Sequence, residues 1–210
     1  MTENKQFEIR PEGVVICLSG PSGVGKGTVI DALMAMTEKI VHSVSVTTRA
    51  PRPMEVDGVS YYFRTREEFE QMLVKGDILE HDEYCENYYG TPRQPILDKM
   101  ANGTNVIMDV TVPGSLQTIN NFPEAIGIFL LPPSFTELRR RLVGRGTEDR
   151  FTIEKRMEKA VHEISQAGKF KYILVNYDVQ ETARLILSIL EAEQHLAANL
   201  KGIEQMIINR

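Results

Sequence analysis

Apolar residues fall in two kinds of run along this chain. Short unbroken runs occur at residues 14–18 (VVICL), 105–110 (NVIMDV), 125–131 (AIGIFLL) and 171–176 (KYILVN). A strand covered on both faces needs this lack of polar alternation. Each run is followed by a stretch of helical period. In residues 26–38 the apolar positions Val29, Ile30, Leu33, Met34 and Met36 share one broad face. Similar patterns run over 114–121, 134–143 and 179 to about 200. Strands alternating with helices predict a parallel sheet flanked by helices, joined by right-handed crossovers.

Residues 43–89 break that rhythm. SVSVTT, VSYYF, ILEHDEY and NYYG read as short strands around one helix at 66–75, with Phe69, Met72 and Leu73 turned inward. This composition predicts a small mixed lobe inserted into the α/β core. No internal repeat or low-complexity stretch is present. The last stretch, HLAANLKGIEQMIINR, continues as an amphipathic helix suited to packing or to a homo-oligomer contact.

With 210 residues, 42% hydrophobic and 25% charged, the composition is that of one ordinary α/β core. A net charge of -5 argues against nucleic-acid binding, which needs excess Lys and Arg to displace counterions. Cys17 and Cys85 are too few for a disulfide framework, which fits a reducing, cytoplasmic setting. No membrane segment is expected, because the apolar runs VVICL and IGIFLL are far too short for a span. The start, MTENKQFEIRPEG, lacks the apolar centre of an export signal. His42, His81 and His162 are scattered without ligand spacing, so no dedicated metal cluster is expected.

The first candidate chemistry follows the first strand. Gly20, Pro21, Ser22, Gly23, Val24, Gly25 and Lys26 form a G-x4-G-K loop between a strand and a helix. Glycines let backbone N–H groups converge on phosphate oxygens, and the following helix adds its dipole. Lys26 supplies a mobile charge for the β- and γ-phosphates of ATP. Gly27 stands where such loops place a magnesium-binding hydroxyl, and Thr28 offers one a position later, suited to the α-phosphate. Magnesium keeps several waters and needs few protein ligands. Asp109, ending the second strand run, can reach Mg2+ through water from the sheet's carboxyl edge.

The inserted lobe carries the second. Arg49 and Arg52 stand three residues apart in a Pro-constrained loop, a spacing suited to a dianionic phosphate. Tyr61, Tyr89 and Thr91 follow. Any one of these alone reads as a surface group; with the loop they point to a phosphate-bearing acceptor.

The motifs GPSGVGKGT, SVTTRAPRPMEVDGVSYYF, ILEHDEYCENYYGT, LPPSFTELRRRLVGRGTE and ILVNYD together closely resemble guanylate kinase of the bacterial type. The resemblance covers residues 13–192. It implies a P-loop kinase core, an acceptor lobe at about 44–92, a helical lid at about 144–156 and a C-terminal helix at 193–210. The implied reaction is ATP + GMP to ADP + GDP, with Mg2+. Arg49, Arg52, Tyr61 and Tyr89 would hold the GMP phosphate, and Ser45, Glu80 and Thr91 would contact guanine. A carboxylate at Glu80 makes chemical sense, because it can accept from both N1–H and the 2-amino group. Asn176 would lie near adenine. Arg141, Arg145 and Arg156 match the family's lid and flanking arginines, which would stabilise the moving phosphoryl group.

One motif departs. The family usually reads LDIDMQG or LDIDWQG where this chain has MDVTVPG, residues 108–114. Asp109 is kept, but Thr111 replaces the second acid, which normally helps read guanine's amino side. A protein-binding module without catalysis and a phosphotransferase with a drifted acceptor are the competing readings. Intact Lys26, Asp109 and lid arginines argue against the first.

Overall fold

The computed structural model describes residues 12–84, 86–144, 149–200 and 202–209. Its centre is a five-stranded parallel sheet, built from β1 (Val15–Ser19), β2 (Ile40–His42), β7 (Asn105–Asp109), β8 (Ile126–Leu131) and β9 (Tyr172–Val175), in the order β2-β7-β1-β8-β9. The four long apolar runs are four of these strands. β2 was not anticipated, since three residues at a sheet edge carry little pattern.

Alternation along β1 assigns its side chains to two layers. Ile16 and Leu18 pack with Val29, Ile30 and Leu33 of α1 (Lys26–Met36) and Ala183, Ile186 and Leu190 of α7 (Val179–Gln194). Val15 and Cys17 face the other layer, with Val106, Met108, Leu79 and Ile96. Burial pushes the Cys17 thiol up to about 12, so it remains a neutral apolar filler.

The second sheet, in the order β4-β3-β6-β5, comprises β3 (Val46–Thr47), β4 (Tyr62–Phe63), β5 (Ile78–Tyr84) and β6 (Asn87–Pro92). Its core is small: Val46, Phe69 and Ile78, flanked by Tyr62, Met72, Leu73 and Tyr88. Phe69 comes from α2 (Arg66–Lys75), which starts at a reciprocal Thr65–Glu68 capping box and stops at Gly76.

β2 and β7 are parallel neighbours, so everything between them is one crossover. Its helix is α3 (Arg93–Ala101), and the whole second sheet is an expansion of the loop leaving β2. Pro95 hid α3 from a periodic reading, although proline is tolerated in a first turn.

Two boundaries differ from the sequence reading. The helix expected to reach about residue 200 ends at Gln194, and the chain continues through a 3-10 turn into the short α8 (Ile203–Ile208). α4 (Val112–Asn121) starts two residues early, because Thr111 caps it. Residues 150–156, part of the expected helical lid, open the long α6 (Arg150–Ser165), whose Ile153, Met157 and Ala160 pack on Leu138 and Leu142 of α5 (Phe135–Gly144). Among the described residues, no helix is long and apolar enough to cross a membrane.

Candidate active site

The loop at residues 20–27 leaves β1 at the carboxyl edge of the sheet, beside both neighbouring strands, where open α/β sheets bind ligands. Gly25 holds φ 100°, and a Cβ there would stand 2.9 Å from Asn176 Nδ2, so both backbone and space demand glycine. Val24 is fully buried beneath the loop, and Val29 N–H donates to Gly25 O at 3.1 Å to start α1. Lys26 Nζ lies 3.4 Å from Gly20 O and 3.8 Å from Asp109 Oδ1. The loop is thus curled with its cation folded across it.

Gly27 is different. A Cβ there would meet nothing within 4 Å, so no steric reason excludes a hydroxyl-bearing residue. Gly27 and Thr28 are both exposed at the helix start. Among the described residues no three His, Cys, Asp or Glu side chains gather as a metal site. Asp109 is the one expected ligand, a hard oxygen donor about a third exposed at the strand end. That donor set fits a magnesium ion held mainly by nucleotide phosphates and water.

Asn176 and Arg141 brace the loop from behind. The buried Asn176 donates from Nδ2 to Val24 O at 2.9 Å and accepts from Thr182 Oγ1 at 3.1 Å. Arg141 donates to Val24 O at 3.0 Å and Asn176 O at 3.1 Å, and its Nε is held by Glu137 at 2.8 Å. Arg140 and then Arg141 hold the Glu137 carboxyl down at about 2. Arg141 therefore ties α5 to the loop crest as well as carrying charge there. Arg156 is half-buried on α6. Arg145 lies outside the described residues, as does Cys85.

In the lobe, the Arg49 guanidinium sits 5.5 Å from the Tyr61 ring centroid, and the Tyr61 and Tyr89 rings meet edge-on at 6.2 Å. Glu55 grips Arg49 at both ends, 2.9 Å to Nη2 and 3.1 Å to Nη1, and accepts the Arg52 backbone N–H at 2.7 Å. Those bonds, Arg49's first, hold the Glu55 carboxyl below its usual range. A carboxylate thus already occupies the fork expected to take a phosphate, a partner that sequence reading missed. Ser45, half-buried beside β3, accepts from Tyr62 N–H at 2.8 Å through its carbonyl.

Glu80 is buried, at 6% exposure, and Oε1 accepts from the fully buried Thr91 hydroxyl at 2.6 Å. Burial raises its carboxyl above the ordinary range; the Thr91 hydrogen bond opposes this and Asp82 adds to it. Gly114 of α4 lets Glu80 come close: a Cβ there would fall 2.6 Å from Glu80 Oε2 and 3.3 Å from Thr111 Oγ1. The structure therefore brings Glu80, Thr91 and Thr111 to one spot. Thr111 has a second duty, accepting Gly114 N–H at 3.2 Å as the cap of α4.

Other missed residues are Glu163, Gln117 and Asn121. Glu163, buried on α6, accepts the Ser22 N–H of the loop at 3.4 Å. Gln117 and Asn121 lie four apart on α4, a spacing that shares a face, and both bond to β5.

A family model for guanylate kinase matches residues 12–193. The guanylate kinase of Halalkalibacterium halodurans is 48% identical over 184 residues, 88% of this chain and 90% of that protein. That of Streptococcus pneumoniae is 44% identical over 197 residues, covering 93% of this chain and 95% of its own. The crystal structure of guanylate kinase from Anaplasma phagocytophilum superposes with a TM-score of 0.74 at 36% identity, covering 97% of both chains.

Proposed function

This chain belongs to the guanylate kinase family, and from that premise we propose that it transfers the γ-phosphoryl group of ATP to GMP. The observation that carries the reading is the pairing of two unlike sites. A glycine loop with Lys26 stands at the sheet edge, and a separate lobe presents a buried carboxylate, Glu80.

On this reading an oxygen of the GMP phosphate attacks the γ-phosphorus. The bond to the oxygen bridging the β- and γ-phosphorus atoms breaks, giving GDP and ADP. The attacking phosphate is already anionic, so no general base is needed. Loop amides, the start of α1 and Lys26 hold the donor phosphates. Asn176, whose side chain bonds to the loop crest, borders the adenine. Arg49, Arg52, Tyr61 and Tyr89 hold the acceptor phosphate, which replaces Glu55 in the Arg49 fork. Glu80, with Ser45, Thr91 and Thr111, reads guanine. Arg141, Arg145 and Arg156 offset charge on the moving group. Asp109 would hold Mg2+ through water, and the ion would supply charge neutralisation on the phosphates. Cytoplasmic purine nucleotide metabolism is the setting this chemistry serves.

The test is ADP release, measured by a coupled assay across GMP, dGMP, IMP, AMP and UMP. Turnover confined to guanine and its close analogues is expected. Equal turnover of AMP or UMP would overturn the assignment of Glu80 as the base reader.

A further inference from the structure

β5 is the outer strand of its sheet, paired on one side only, with β6. Its open side is not left to solvent. Gln117 of α4 accepts the His81 backbone N–H at 3.1 Å through Oε1 and donates through Nε2 to His81 O at 3.2 Å. One turn later Asn121 Nδ2 donates to Leu79 O at 2.9 Å. The residue between these two grips is Glu80.

The grips also fall where β5 is irregular. Its pairing with β6 shifts between Ile78 and Glu80, so Ile78 faces Pro92 and Glu80 faces Thr91. Such a bulge redirects the side chains beside it. Leu79 runs into the main core and is buried, while Ile78 belongs to the lobe's own core. Backbone carbonyls at an open sheet edge need partners, and two side-chain amides from one helix face supply them. The same helix carries Gly114, whose missing side chain makes room for Glu80 Oε2.

Taking Glu80 as the guanine-reading group, as in the functional reading above, we propose that Gln117 and Asn121 are positioning residues for base selectivity. By fixing the backbone on both sides of Glu80, they set the direction in which its buried carboxylate points. Both act through the backbone of His81 and Leu79. Edge protection alone would make the same bonds useful for stability, but would not link them to the choice of base.

The experiment compares Gln117→Met, which keeps the length and loses both bonds, with Gln117→Glu, which keeps only the acceptor for His81 N–H. Steady-state kinetics with GMP, IMP and AMP are measured beside ATP KM and thermal stability. Gln117→Met should raise GMP KM and lower the GMP:AMP ratio of kcat/KM, each by about tenfold, the effect of losing a pair of hydrogen bonds. ATP KM should not change, and Gln117→Glu should fall between Gln117→Met and the parent. Asn121→Ala should shift the ratio in the same direction and serves where Gln117→Met folds poorly. In a Glu80→Gln background, Gln117→Met should add no further loss of selectivity. A folded Gln117→Met enzyme with the parental ratio would overturn the positioning role, as would equal losses with every acceptor. If Glu80→Gln itself kept the parental ratio, the guanine-reading assignment would fail, and the inference with it.

Discussion

The loop at residues 20–27 is made mostly of backbone, whereas the lobe at residues 46–92 presents its candidate contacts through side chains. The loop sits on the main sheet, with Val24 fully buried and Asn176 and Arg141 bonded to its crest. The lobe has three buried apolar side chains at its centre and, beyond them, an arginine loop with Arg49 half-buried and Arg52 exposed. Backbone groups present the same donors whatever ligand arrives, so they suit a phosphate chain shared by every donor nucleotide. Side chains can be exchanged one at a time, so they suit the choice of acceptor. Damage to the loop should therefore appear in turnover, and damage to the lobe in acceptor affinity and choice.

The sharpest break in that contrast is Lys26→Met. With its single ammonium removed, kcat should fall by about a hundred- to a thousandfold, the usual scale for one stabilising donor. GMP affinity, measured by calorimetry, should hardly move, and an equal loss of both would mean that Lys26 supports the fold. Arg49→Ala comes next. Losing one charged hydrogen-bonding partner should cost about 1.5–3 kcal/mol, or roughly ten- to a hundredfold in GMP affinity. ATP affinity should stay constant, and guanosine, which lacks the phosphate, should bind as before.

Thr111→Asp, at the α4 cap beside the lobe, should sharpen base choice instead of breaking it. Aspartate caps a helix as well as threonine does, so α4 should keep its start. The added charge should reward guanine's 2-amino group and raise the GMP:IMP ratio of catalytic efficiencies by about tenfold. An unchanged ratio in a folded variant would mean that this group is read elsewhere.

The smallest effect concerns stability. The Glu80 carboxyl titrates above the ordinary 4.5, chiefly through burial. Its ionised form is therefore costlier in the folded chain than in the unfolded one, and stability is lost as pH rises through the folded value. Glu80→Gln should be at least as stable as the parent at pH 7 by thermal melting, while losing guanine selectivity. The parent's GMP KM should begin to rise, on acidification, at a pH above that of an exposed glutamate.

The parts legible in the sequence were those whose pattern is local. Glycines at fixed spacing announce a phosphate loop because they are backbone chemistry, and unbroken apolar runs announce buried strands. β2 escaped because it is three residues at an edge. The charges of residues 139–156 obscured the Ile153, Met157 and Ala160 stripe of α6. Glu55, Gln117 and Asn121 carry no local signal, since the groups they hold are backbone atoms or side chains placed by the fold. Thr111 read as a ligand contact alone, and its cap on α4 emerged only with the helix boundary.

The second sheet lies wholly inside the crossover from β2 to β7. Lengthening such a connection costs chain entropy that grows only logarithmically, so the parallel core has little stake in what the detour contains. In energetic terms that makes the detour a cassette, whose contents can change at little cost to the parallel core. The cassette has a tether, however. Gly114, Gln117 and Asn121, which receive its outermost strand, are encoded downstream on α4. A transplant ending at β6 would leave them behind, so a graft of this sheet should carry the stretch through α4 as one piece.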